Sequence, residues 1–337
     1  MWQPAFHRTR RRTPYDEAMR IAVLDDYQNV ARTLADWGSL PAETVFFSGF
    51  LGHGDDAVCQ ALQDFDVVVA MRERTPFTAE RLQALPKLKL LVTTGMRNAA
   101  IDLDAARDQG ITVCGTSGSL AATAEHTWAL ILAAARRLDV ELLSASRPRA
   151  IDQPWQQTLG TGLAGHTLGV YGLGKVGAQV AGIGRAFGME VIAHSQNLSA
   201  ARAAEAGVEL VAKEELFARS DVLSIHLKLS ERTTAVVGAQ ELGAMRSGSI
   251  LVNTSRSAII DEDALVAALG SGAPSLAALD VFDVEPLPAN HHLLQTPGVI
   301  ATPHLGYVTE EQFSIFYTDA VRDIAAWVAG TPLNVLS

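Results

Sequence analysis

Gly172, Gly174 and Gly177 stand in the spacing G-x-G-x-x-G, behind the apolar run Thr167 to Tyr171. Glycine at these three places has separate uses. Gly172 permits a tight turn, Gly174 lets the backbone approach a pyrophosphate, and Gly177 lets the next helix pack closely on the strand. Lys175 and Val176 open that helix, whose free N–H groups and positive dipole end would face the phosphates. The spacing alone is weak in a chain with 27 glycines. The strand before it, the helix Val176 to Phe187 and a second strand at Val191–Ala193 make a dinucleotide site the expected reading.

Hydride transfer between a nicotinamide and a hydroxy acid needs three more groups. One is an acid/base for the alcohol proton, one a cation for the carboxylate, and one a partner that holds the base in its working state. Histidine suits the first, since its ordinary pKa of about 6.5 lies near neutrality. Of nine histidines, His304 is best placed, in a loop set by Thr302-Pro303 just past a strand. Glu285, before Pro286, follows another strand end. A carboxylate bonded to an imidazole favours its charged form. Arg256 offers a planar fork for a carboxylate and a polarised carbonyl. Taken singly, each reads first as a satisfied loop residue.

The elements that must carry these groups alternate strand and helix along the whole chain. Strands are expected at Arg20–Leu24, Phe46–Ser48, Val67–Ala70, Leu88–Thr93 and Thr112–Cys114 in a first α/β run. A long apolar helix, Ala121 to Arg137, and a polar loop, Ser144 to Ala164, lead to the glycine turn. A second run follows, with strands at Val208–Leu210, Asp221–Leu227, Ile250–Asn253, Leu276–Val281 and Val299–Ala301. His226 and Thr254 close two of these, at the edge where ligands of open α/β sheets gather. Arg72 and Arg74 follow the third strand and could meet an anion there. Asp25-Asp26 are expected to cap the next segment and stay solvated. In Glu125-His126, neighbours on a helix point about 100° apart, so His126 is read as structural.

Composition excludes several classes of function. The chain has 337 residues, a net charge of −10, 48% hydrophobic and 19% charged residues. That is a globular chain with ample core, and its acidity argues against nucleic acid as a partner. Cys59 and Cys114 give no disulfide framework and no metal spacing, so both are expected to pack, a cytoplasmic location fits, and no metal site is expected. No apolar run is long enough to span a membrane. Arg8, Arg10, Arg11 and Arg12 mark residues 1–18 as a basic, disordered leader, with a transit peptide as the alternative.

The sequence resembles the D-isomer-specific 2-hydroxyacid dehydrogenase family from Arg20 to Pro332. The likeness rests on Leu168 to Gly177, Phe187-Gly188-Met189, Leu251 to Arg256, Leu279 to Pro286, and Thr302 to Gly306. It implies two Rossmann-like or flavodoxin-like doubly wound parallel-sheet domains. The substrate domain would be 19–117 plus 307–337, with an NAD(P)-binding domain, 118–306, inserted between its parts. It implies Arg256, Glu285 and His304 as the catalytic residues. His304 would donate the proton, Glu285 would hold it protonated, and Arg256 would bind the 2-oxo acid. Asp280 falls where the family meets the nicotinamide carboxamide, and the Ala121–Arg137 helix where family homodimers are built.

Two departures from the family pattern matter. Ser195 stands where NAD-using members usually carry Asp, which bonds the ribose 2′-hydroxyl and repels a 2′-phosphate. With Gln196 and Asn197 beside it, Ser195 leans the reading to NADP over NAD. The loop Gly95-Met96-Arg97-Asn98 has Arg97 where glycine is common, and a second cation there could favour a diacid. A 2-oxo acid reductase of the glyoxylate or hydroxypyruvate kind is the leading expectation. Formate dehydrogenases share the fold but carry glutamine where Glu285 stands. A nucleotide-sensing corepressor on the same fold is the reading from another class.

Overall fold

The computed structural model describes residues 19–146 and 154–336. The expected leader and part of the expected loop 144–164 lie outside the described residues. The chain divides into two compact units. One takes the chain up to Gly118 and again from Thr309; the other is the continuous stretch Ser119–Val308.

The first unit is built on five parallel strands: β1 Met19–Val23, β2 Ala42–Phe46, β3 Val67–Ala70, β4 Leu90–Thr93 and β5 Thr112–Gly115. Their order in the sheet is β2-β1-β3-β4-β5. β3 and β4 are buried along their whole length, which is why they read as unbroken apolar runs. β2 is an edge strand, only partly buried, and lies earlier than the expected Phe46–Ser48. Its residues Ala42-Glu43-Thr44-Val45-Phe46 mix polar and apolar types, so they lack the apolar run that marks an interior strand, yet they pair in register with Met19 to Val23.

Helix caps follow from local chemistry. Thr78 and Asp102 accept backbone N–H groups at the starts of Ala79–Gln83 and Leu103–Asp108. Asp26 accepts from the N–H groups of Val30 and Ala31, as a capping residue should. The expectation that Asp25 and Asp26 stay solvated fails, because both are buried. Asp25 has φ +57 and accepts from Thr75 Oγ1 at 2.8 Å. Burial pushes its carboxyl above the ordinary value, against the pull of Thr75 and Arg74.

The second unit holds seven parallel strands: β6 Thr167–Tyr171, β7 Glu190–His194, β8 Glu209–Leu210, β9 Val222–Ile225, β10 Ile250–Asn253, β11 Leu276–Leu279 and β12 Val299–Ala301. The order is β12-β11-β10-β9-β6-β7-β8. It reverses between β6 and β9, and the glycine turn leaves β6 at that switch point. The helix Ala121–Ala135 packs its Trp128, Ile131 and Ala134 into the core with Leu168, Val170 and Val180. It stops two residues short of Arg137, which takes φ +52 and starts a separate helix, Leu138–Ala145. That second helix has no buried residue, so no apolar stripe announces it. Both sheets are parallel with interleaved helices, as the α/β reading requires. No helix among the described residues is long and apolar enough to cross a membrane.

The C-terminal segment lies along β5. Gly115 N donates to Asn334 O at 3.0 Å and Leu336 N to Val113 O at 2.8 Å. Asn334 Nδ2 also donates to Asp323 Oδ1 at 2.9 Å, from the helix Glu310–Val328. Asp323 is fully buried, and its other oxygen has no hydrogen-bond partner among the described residues. Burial pushes its carboxyl up to about 6. The folded chain therefore holds a proton that the unfolded chain releases between about pH 4 and pH 6, so stability falls as pH rises through that window. Asp323→Asn keeps an acceptor for Asn334 and removes the buried charge. It is expected to raise stability at pH 7 by about 2 kcal/mol and to flatten the slope between pH 4 and 6. Urea unfolding at pH 4.5 and 7 measures both.

Candidate active site

The glycine turn is shaped by backbone on two sides and open on the third. Gly172 has φ +104, and a Cβ there would lie 2.7 Å from the backbone of His226. A Cβ on Gly177 would lie 2.2 Å from Gly172 O, so helix and strand touch through this residue. At Gly174 a Cβ would meet nothing within 4 Å. The helix that follows, Lys175–Ala186, has no side-chain cap at Gly174, Lys175 is exposed, and Val176 packs on the core below. Its N-terminal N–H groups therefore lie at an open, uncapped end suited to an anion.

Two neighbours of the turn are set by their own bonds. Past β7, Ser195 is half-buried and Gln196 exposed, with no carboxylate at either position. Past β9, His226 Nε2 lies 2.8 Å from Ser224 Oγ. The surrounding protein pushes the His226 imidazole down to about 4, so it is neutral at physiological pH.

Glu285 and His304 come together. His304 Nδ1 lies 2.7 Å from Glu285 Oε2, and Glu285 Oε1 accepts Phe282 N–H at 2.9 Å. An ionised carboxylate has only acceptors, so Nδ1 carries the proton and Nε2 is the nitrogen left for chemistry. His304 takes φ +53, which a histidine rarely adopts, and the ring of Tyr307 packs edge-on at 5.2 Å.

That backbone is held by Asp280. Its buried carboxylate accepts from Thr302 Oγ1 at 2.6 Å, Leu305 N at 2.8 Å and Gly306 N at 2.8 Å, residues on both sides of His304. His126 Nε2 bonds the same carboxylate at 3.0 Å. Burial opposes charge on Asp280, but the bonds from His126 and Thr302, the electrostatic pull of His126 and the Leu305 N–H outweigh it. The carboxyl is held below its ordinary value. Asp280 is thus a scaffold for the His304 loop. His126 serves a structural purpose, as its sequence reading had it, but within the site itself.

Arg256 follows β10, the strand beside β11, whose end leads to Asp280. Asn253 braces it: Nδ2 donates to Arg256 O at 2.9 Å while Oδ1 accepts Ser255 N at 3.0 Å. Thr254 Oγ1 lies 2.8 Å from Thr127 Oγ1. Thr127 spends its proton on Thr123 O, so Thr254 is the donor of that pair. Sequence reasoning missed Asn253, Thr127, Ser224 and the role of His126: Thr127 and His126 act on residues distant in sequence, Asn253 acts through backbone, and Ser224 meets His226 at a two-residue spacing that every strand offers.

In the first unit, Arg72 and the loop 94–98 are interlocked. Arg72 N donates to Thr94 Oγ1 at 2.9 Å and Nη1 to Thr94 O at 3.2 Å. Asn98 Nδ2 returns a bond to Arg72 O at 2.7 Å. Gly95 takes φ +95, a conformation that favours glycine, and a Cβ there would also push the Arg72 guanidinium aside. Met96 and Arg97 are exposed at the tip.

Residues 128–306 match the family model for the D-isomer specific 2-hydroxyacid dehydrogenase, NAD binding domain. The chain belongs to this family. A glyoxylate reductase from Aeropyrum pernix is 40% identical over 266 residues, 76% of this chain and 78% of the relative. A D-3-phosphoglycerate dehydrogenase from Mycobacterium bovis is 34% identical over 282 residues, 83% of this chain; that match spans about half of the relative, 52%. The crystal structure of a phosphoglycerate oxidoreductase from Vibrio cholerae O395 is 37% identical, with TM-score 0.84, over 93% of this chain and 99% of that one. Membership carries the reaction class: an NAD-dependent oxidoreductase of 2-hydroxy acids.

Gly177→Ala tests the turn directly, because its Cβ would meet a backbone oxygen that no rotamer change can move. NADH binding, followed by fluorescence titration, is expected to weaken at least tenfold.

Proposed function

We propose that the enzyme reduces a small 2-oxo acid, of the glyoxylate or hydroxypyruvate kind, to the D-2-hydroxy acid. The observation that carries this reading is the 2.7 Å bond from His304 Nδ1 to Glu285. It fixes the imidazole so that Nε2 gives a proton to the substrate carbonyl oxygen, and takes it back in the reverse direction. Arg256 binds the substrate carboxylate, and Arg72, Met96 and Arg97 are the groups the first unit offers to the substrate. The exposed guanidinium of Arg97 suits a substrate whose tail carries a second polar or anionic group.

The glycine turn fits a dinucleotide, since it is closed by backbone at Gly172 and Gly177 and open at Gly174. Lys175, Val176 and Gly177 would hold the pyrophosphate, Ser195 and Gln196 the adenosine ribose, and His226 and Thr254 the nicotinamide side; the sequence expectation that Asp280 meets the nicotinamide gives way to a bracing role, since it is buried and bonded to His126, Thr302, Leu305 N and Gly306 N. A nicotinamide bound there supplies or accepts the hydride. Ser195 in place of an acid removes repulsion of a 2′-phosphate, which supports NADPH as the preferred donor.

The enzyme works as a homodimer in this reading. Leu142 and Leu143 on the second helix, and Trp155 and Leu159 beyond it, are large apolar side chains left exposed, with Leu159 96% exposed. Such a group fits a second copy of the chain. The separate free thiols of Cys59 and Cys114 suit a reducing cytoplasm.

The mechanism is tested by following loss of NADPH and NADH absorbance with glyoxylate and hydroxypyruvate. Turnover is expected to be faster with NADPH, and His304→Gln to lose about 10²–10⁴-fold in kcat while still binding cofactor. Wild-type turnover in that variant would sink the mechanism. Sedimentation of the wild type should give a dimer, and Leu142→Lys with Leu143→Lys should shift it toward monomer.

A further inference from the structure

A second convergence of ligating side chains stands apart from the acid–base pair, in the same unit. Glu262 is the first residue of the helix Glu262–Ser271. His291 caps, and His292 opens, the 3₁₀ turn His292–Gln295. His292 Nε2 lies 2.9 Å and His291 Nε2 3.7 Å from one and the same oxygen, Glu262 Oε1. One ligand atom from each of the three residues falls within 4.8 Å of the others. The two rings stack, with centroids 4.5 Å apart and planes 28° from parallel, so their nitrogens are presented side by side.

We propose that Glu262, His291 and His292 form a binding site for a divalent transition cation of the zinc type. Two imidazole nitrogens and one carboxylate oxygen are a ligand set such ions take, with water filling the fourth position. The distances fit. Bonds of about 2.0–2.2 Å in tetrahedral geometry place ligand atoms roughly 3.3–3.5 Å apart, and the observed 2.9 and 3.7 Å bracket that spacing.

A plain ion pair explains the arrangement less well. One carboxylate needs one imidazolium, and a second imidazolium stacked on the first would repel it. A bound cation lets both rings stay neutral and turns their proximity to use. His291 Nδ1 now accepts Leu293 N–H at 3.4 Å, which places its proton on Nε2. Ligation through Nε2 moves that proton to Nδ1 and gives up this bond, one at the long limit of hydrogen bonding. The ion would clamp the segment that follows Glu285 and Pro286 to the start of the helix Glu262–Ser271. Glu262 and Leu293, from the two clamped elements, also line one small surface pocket with Asn253, Ser257 and Asp283. Sequence spacing gives no sign of the site, because the ligands stand 29 residues apart and in no recurring zinc pattern.

The test uses the full-length chain, treated with a chelator and then equilibrated with zinc chloride, with bound zinc counted by elemental mass spectrometry. Wild type is expected to retain one zinc per chain more than Glu262→Gln or His292→Gln, each at least tenfold weaker in affinity. Cobalt(II) should give visible absorption bands in wild type that both variants lose. The three side chains are partly exposed, and thermal unfolding in metal-free buffer should match across the variants. His304→Gln should keep the zinc. Equal binding by all proteins, no binding by wild type, or loss of the zinc in His304→Gln alone would each overturn the proposal.

Discussion

The loop that carries His304 depends on one buried charge. Asp280 has no exposed surface, and a carboxylate in that position is costly unless its lone pairs are used. They are used by four donors: His126, Thr302, Leu305 N and Gly306 N. Three of the four belong to the loop that carries His304. The φ of +53 at His304 is a strained conformation for that residue, of order 1–3 kcal/mol, and the surrounding bonds must hold it. Asp280 supplies them from beneath, and Glu285 fixes the ring from the side. The position of the His304 imidazole is thus set by the groups around it.

The same architectural rule places every other candidate residue. Each sheet is parallel, so within each unit the strands end on one edge of that sheet, and loops leaving that edge gather there. In the second unit these loops begin at Gly172, Ser195, His226, Thr254, Asp280 and Thr302. In the first, Asp25, Arg72 and Thr94 leave β1, β3 and β4 in the same way. Backbone pairing between neighbouring strands then fixes relative height, as Asn253 opposite Leu279 shows for Arg256 and Asp280. A site assembled this way inherits its precision from the ladder rather than from the loops.

This explains which parts were legible in the sequence. Buried parallel strands such as Val67–Ala70 and Ile250–Asn253 are apolar on both faces and stand out at their true bounds. The glycine turn was legible because backbone contact forces the residue type at Gly172 and Gly177. Edge strand β2 was misplaced because partial burial leaves a mixed pattern. The helix Leu138–Ala145 was hidden because it buries nothing. Asp25 and Asp26 were assigned to solvent because charge pattern alone does not report burial. His304 and Glu285 came from chemistry at strand ends together with family likeness; their 2.7 Å contact is a fact of the fold.

Histidine shows how environment rather than residue type assigns a role. His226 is desolvated and held by Ser224 without an opposing charge, so it stays neutral and serves as a hydrogen-bonding group. His126 is committed to Asp280, its ring nitrogen shared with Thr302 at 3.1 Å, and belongs to the scaffold. His304 differs from both: its Nδ1 is fixed by Glu285 on a loop past a strand end, the arrangement that the proposed proton transfer needs. His291 and His292 differ again: they stack on each other and face one carboxylate, an arrangement that favours a shared electrophile over a shared proton. A proton satisfies one such nitrogen, whereas a cation with several coordination positions satisfies both rings and the carboxylate at once.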